Sequence, residues 1–221
     1  MKDLKAVRGR RLLREMIAEG EHECQDFKFA ISDARKIARS LSAFANHKGG
    51  RLLIGVKDNG AIAGVRNEED IYVVEQAAER YCRPARKVEF KAYKIENNVC
   101  VIVAEIAAAD VRPVYACEAD GSWKAYIRVA DENIAAHPLM VEAWCRKADP
   151  RGVSFALDGV HRSVLAYLAE HGPAATSREI AVAIHISEAT VDSTVASLAA
   201  LDLVEFTYDG SRFVISLSNN Q

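Results

Sequence analysis

Between Ala43 and Val65 the chain reads "AFANHKGGRLLIGVKDNGAIAGV", and few folds accommodate this order of signals. An apolar helical run stops at two successive glycines, a strongly apolar stretch follows at once, and an Asn-Gly pair then turns the chain. Glycine gives the backbone freedom for a tight exit from a helix. "RLLIGV" reads as a buried strand, and Asn59-Gly60 before "AIAGV" predicts a hairpin turn whose two central residues both take positive φ.

Upstream, Ala34, Ile37, Ala38, Leu41, Phe44 and Ala45 recur at helical spacing, with Arg35, Lys36 and Arg39 on the other side. Ser32 is the expected N-cap, Asp33 suits the positive end of the dipole, and Asn46-His47-Lys48 reads as a frayed end. Downstream, Asn67 and Asp70 open a helix whose core face uses Ile71, Val74, Ala77, Ala78 and Tyr81, stopped at Arg83-Pro84. Strands follow at "KVEFKAYKI", "VCVIVAEI", "PVYA" and "WKAYIRV", with turns at Asn97-Asn98 and Asp120-Gly121. A helix from Pro138 to Lys147 is expected to close this α+β domain of residues 1–148, with a mixed sheet, and residues 149–156 read as a linker.

Residues 157–221 have a different rhythm. Helices at "HRSVLAYLAEHG", "TSREIAVAIH" and "EATVDSTVASLAALD" precede two strands around Asp209-Gly210. Thr176 with Glu179 forms a capping box, and Ser187 caps the third helix. This is the order of a small winged helix-turn-helix domain.

At 221 residues, half of them hydrophobic, the chain can bury one good core and a second small one. No run approaches the roughly 18 consecutive apolar residues of a membrane span, so a soluble, cytoplasmic protein is expected. Cys24, Cys82, Cys100, Cys117 and Cys145 lack metal-ligand spacing and read as buried reduced thiols. The histidines, too, lack the spacing of a metal site. Charge is uneven: residues 1–51 hold 12 basic and 7 acidic side chains, and residues 157–221 hold 3 and 8. A polyanion is therefore drawn first to the N-terminal part.

The glycine-rich run is not a nucleotide loop. A phosphate loop needs GxxxxGK[ST] opening a helix, whereas here the glycines precede a strand. The run instead resembles the Schlafen AlbA-type domain, found in bacterial proteins described as DNA-binding or as transcriptional regulators. The resemblance rests on Glu21, "DFK" at Asp26–Lys28, the block from Ala43 to Val65, "RPVYA" at Arg112–Ala116 and "YIRVADEN" at Tyr126–Asn133. It covers roughly residues 15 to 148. Asp26 stands where the family usually has glutamate, and Ala130-Asp131 where it has glycine-serine.

Some relatives cut structured RNA with three carboxylates, and the matching residues here are Glu21, Asp26 and Asp58. Three convergent carboxylates would hold magnesium or manganese and activate water. The plainer alternative is that Asp26 pairs with Lys28 on one strand face and Asp58 merely starts a turn. No cofactor is expected outside that nuclease reading.

The leading expectation is a regulator that binds nucleic acid, double-stranded DNA in particular, as a homodimer. Arg35, Lys36, Arg39, Lys48 and Arg51 would form a phosphate-binding patch, joined by Arg128 unless it pairs with an acidic neighbour. Arg8, Arg10, Arg11 and Arg14 would add to it. In the winged helix, Thr190 and Ser193 could reach bases or phosphates. Glu188, Asp192 and a net charge of minus five oppose that approach, so an adaptor that binds protein is the third reading.

Overall fold

The computed structural model describes residues 9–65, 69–95, 99–152, 156–172 and 174–218. The expected contributions of Arg8, Asn67 and Asn97-Asn98 lie outside the described residues. The chain divides into two compact units, Met1–Asp110 with Val114–Ala135, and Val111–Pro113 with Ala136–Gln221. Among the described residues no helix is long and apolar enough to cross a membrane.

The first unit is built around a four-stranded sheet of order β1-β2-β5-β4, made of β1 (Gln25–Lys28), β2 (Gly50–Ile54), β4 (Glu89–Lys94) and β5 (Cys100–Ile106). β1 runs parallel to β2, and the other pairs are antiparallel. Alternate residues of β2 face opposite ways, and both faces are covered. Leu52 and Ile54 pack with Ile37, Leu41 and Phe44 of α2 (Ala34–Ala45) and with Ile71 and Val74 of α3 (Glu69–Arg80). Leu53 packs with Phe27, Val101 and Val103 beneath Leu13 and Met16 of α1 (Arg10–Glu19). Each such fully buried leucine contributes about 1.5–3 kcal/mol of burial free energy.

A second sheet of order β3-β6-β7-β8 comprises β3 (Cys82–Arg83), β6 (Tyr115–Cys117), β7 (Trp123–Val129) and β8 (Glu132–Ala135). Val114, Ala116 and Tyr126 bring it into the α2 core. Asn46 fixes this junction instead of fraying. Its side-chain amide donates to Val114 O at 2.8 Å and Tyr126 O at 2.9 Å, and its oxygen accepts from Val114 N at 2.8 Å.

The double glycine is explained by packing. Gly49 has φ +81°, and a Cβ there would meet Ile106 O at 2.8 Å; a Cβ on Gly50 would collide with the Phe44 ring. Two local expectations change. The cap of α2 is Asp33, whose carboxylate accepts from Arg35 N and Lys36 N, in place of Ser32. At Asn59-Gly60 only Gly60 takes positive φ: Gly60 N donates to Lys57 O, and Asn59 turns its side chain onto Ala61 N. A single bridge, Val56 to Ile62, replaces the second strand of the expected hairpin.

The second unit contains α4 (Pro138–Lys147), α5 (Gly159–His171), α6 (Ser177–Ala183), α7 (Glu188–Ala200) and the hairpin β9 (Val204–Tyr208) and β10 (Phe213–Leu217). Its core joins Val164, Leu168, Ile180, Val191, Val195, Leu198, Val204 and Ile215. The local signals appear as expected. Thr176 and Glu179 complete the capping box, Ser187 caps α7, and Asp209 accepts from Ser211 N and Arg212 N in the hairpin turn. This unit also takes in α4, which the sequence reading put at the end of the first domain. Leu139 of α4 belongs to the second core, and Arg146 bonds α7.

Candidate nucleic-acid interface

The cations of α2 project from the side opposite its buried stripe, as the periodicity requires. Their fates then diverge. Arg39 donates to both carboxylate oxygens of Glu118, through Nε at 3.0 Å and through Nη2. Tyr126 Oη donates to the same carboxylate at 2.6 Å. Burial alone would raise the pKa of Glu118, but these two hydrogen bonds outweigh it and hold the carboxyl below its usual range. Burial together with Glu118 pushes the Tyr126 phenol up to about 12. Arg39 is therefore neutralised within the fold. Arg35 lies 4.9 Å from the centroid of the Tyr81 ring, and Lys36 is exposed.

Arg128 is no surface cation. It is 3% exposed, lies over the Phe44 ring, donates to Asn133 Oδ1 at 2.9 Å and faces Asp26 at 3.6 Å. Asn133 in turn donates to Ser40 Oγ at 3.0 Å. Of its two expected roles, pairing with an acidic neighbour is the one the structure contains. β7 alternates, so Tyr126 and Arg128 share the face that packs on α2.

Of the three carboxylates, Glu21 and Asp26 meet, but among the described residues they form no metal-holding group with Asp58. Glu21 accepts from Phe27 N at 2.8 Å and hydrogen-bonds Asp26; burial first, and then that hydrogen bond, raise its pKa. Asp26 pairs with Lys28 at 2.8 Å as well as with Arg128. Two cations thus already supply the charge a metal would bring. Asp58 is exposed in the turn after β2. Among the described residues no group of three or more His, Cys, Asp or Glu side chains is placed to hold a metal ion.

An open pocket of about 610 Å³ lies where α2 gives way to β2. Lys48, Arg51, Arg86 and Lys87 line it, together with the Gly49-Gly50 backbone, His22, Glu89 and Glu105. Its charges are only partly cancelled internally. Glu105 is engaged by Lys91 at 2.6 Å, and Lys87 and Glu89 approach only to 3.8 Å with both side chains exposed. Arg51 is anchored by Gln25 Oε1 at 2.5 Å and by Glu19. Lys48 is exposed, and Nε of Arg86 is buried without a hydrogen-bond partner. Arg86 and Lys87 are absent from the sequence-derived patch. They lie far from α2 in the chain, and only the pairing of β4 to β5 to β2 brings them beside Lys48. Their only sequence signal is a basic pair between Pro84 and an alternating strand.

In the second unit, Thr190 shares the cap of α7: its backbone N–H donates to Ser187 Oγ, and the two hydroxyls lie 2.7 Å apart. Arg146 of α4 reaches the exposed Ser193, bonding its carbonyl at 3.1 Å and its hydroxyl at 3.3 Å. His137, just before α4, stacks on Phe206 of the wing at 5.3 Å. Of the five cysteines only Cys82 is buried, and Cys145 is exposed on α4, contrary to the expectation for all five.

Comparison with known proteins agrees with this division. The model of the family described as "Schlafen, AlbA_2" matches residues 21–137, and that of the MarR family matches residues 155–211. No curated protein matches the chain. Among solved structures, the DIP2311 protein from Corynebacterium diphtheriae is 19% identical with a TM-score of 0.43, covering 74% of this chain and 35% of that one. This chain thus corresponds to about a third of that protein's length. The N-terminal domain of a putative ATP-dependent DNA helicase RecG-related protein from Nitrosomonas europaea is 21% identical with a TM-score of 0.40, covering 60% of this chain and 96% of that one. The family match spans Glu21, the glycine-paired strand and the "YIR" strand alike, and the chain belongs to the Schlafen AlbA_2 family, with a MarR-type winged helix domain following.

Proposed function

We propose that this protein is a nucleic-acid-binding regulator that holds double-stranded DNA by its phosphates, using the first unit. The observation that carries the reading is the open pocket where Lys48, Arg86 and Lys87 stand beside Arg51 without enough carboxylates to neutralise them. Such a site suits a polyanion backbone, because phosphate contacts by lysine and arginine give affinity without sequence information. Lys36 at the exposed start of α2 adds to the field. Family membership supports the same reading, and the buried state of Arg128 and the pairing of Arg39 narrow the contact to fewer residues than the sequence patch contained. Paired copies would double the phosphate contacts, and light scattering of free and DNA-bound protein tests the expected homodimer.

The test is fluorescence anisotropy with a labelled duplex, in chelator and then in magnesium or manganese, alongside a cleavage assay on folded RNA. Binding that survives chelator and falls steeply with salt is the expected result. Metal-dependent cleavage abolished by Asp58→Asn would replace this reading with the nuclease, and neither binding nor cleavage would leave the adaptor.

A further inference from the structure

A winged helix offers the groove that side of its third helix which faces away from its own core. In α7 the core side is Val191, Val195 and Leu198. At 100° per residue, Ser193, Ala196, Ser197 and Ala200 fall on the opposite side. Beyond the exposed Ser193 that side is not open. Ala196 is 0% exposed and Ala200 4%, although neither belongs to the hydrophobic cluster of the unit.

The element packed there is α4. Its Arg146 donates to Ser193 O and Oγ and to Ser197 Oγ while also pairing with Glu142, and Lys147 pairs with Asp202 just beyond α7. Small side chains on α7 permit close approach of a second helix axis. We infer that the outer face of the C-terminal half of α7 is a helix-docking surface whose occupant is α4 of the same chain. The C-terminal half of the third helix of this winged domain therefore meets protein and is closed to a groove, leaving only its first turns exposed. Its acids, the exposed Glu188 and the half-buried Asp192, fit that role, since a face turned to phosphate would carry the opposite charge.

Thiol labelling tests the closure without depending on where DNA binds. In a Cys145→Ser background, Ala196→Cys places a thiol under α4, and Ala189→Cys places one on the same side of α7 where the helix is exposed. Rates are read by mass spectrometry of peptides, with and without a duplex at a concentration set by the anisotropy titration. Position 196 should label at least about a hundredfold more slowly than position 189, because labelling waits for local opening, and the duplex should not change that ratio. Equal rates in the free protein would overturn the proposal, and so would slow labelling that becomes fast when duplex is added. Ala200→Cys provides the same reading should Ala196→Cys impair folding. Failure of the duplex to bind would count against the proposed function alone, leaving the closure to be decided by the free-protein rates.

Discussion

In the first unit Lys48, Arg86 and Lys87 reach an open pocket where Glu105 is engaged by Lys91 and only the exposed Glu89 pairs with Lys87, at 3.8 Å. In the second, Arg146 pairs with Glu142, Lys147 with Asp202, and Arg212 with Glu179 and Asp209. The winged helix is the module whose order of elements announces DNA recognition, yet these three cations are paired internally and the C-terminal half of its third helix is covered. The AlbA_2 unit, whose fold announces no groove-reading helix, holds the uncancelled charge. A fold is thus a poor guide to where a ligand is met; the electrostatics of particular side chains decide it.

The largest effect that sharpens this contrast comes from the first unit's interior. Asp26→Asn removes the carboxylate facing Arg128 and leaves a guanidinium buried over Phe44 without its charge partner. The expected loss is about 3–5 kcal/mol, seen by urea titration as an earlier transition of the first unit with that of the second unchanged. Next comes the ligand face. Replacing Lys48, Arg86 and Lys87 together by alanine should weaken duplex binding by about tenfold or more at moderate salt while leaving thermal stability nearly intact. Thr176→Ala, which breaks the capping box of α6, should cost about 1 kcal/mol, confined to the second unit and without effect on affinity. Smallest is Ser193→Ala. Since Arg146 already holds that hydroxyl, duplex affinity measured by anisotropy should change less than about twofold; a larger drop would mean that α7 does touch DNA.

Local signals carried much of the fold. The apolar stripe of α2, the glycine pair, the strand "RLLIGV" and the N-caps of α6 and α7 are legible because each depends on residues within one or two turns of the chain. What escaped needed long-range assembly. The sequence reading assigns no helix before Glu23, and β3 and β8, two and four residues long, are too short to show a period. Asn46 looks like a frayed end until the second sheet supplies Val114 and Tyr126 as its partners. Arg128 looks like a strand cation until α2 covers it. Arg86 and Lys87 join Lys48 only after β4, β5 and β2 pair. The position of α4 is similarly hidden: its own amphipathicity says that one face is buried, and nothing in it says against which unit.

The most direct measurement is the slope of log affinity against log salt for one duplex, compared between the unmodified chain, the Lys48, Arg86 and Lys87 triple alanine variant, and a Thr190→Ala, Ser193→Ala double variant. The account predicts a slope shallower by about 2–3 for the triple variant, since each lost phosphate contact removes about 0.9, and an unchanged slope and affinity for the double variant. An unchanged slope in the triple variant, with affinity lost in the double variant, would place the contact on α7 and contradict the account.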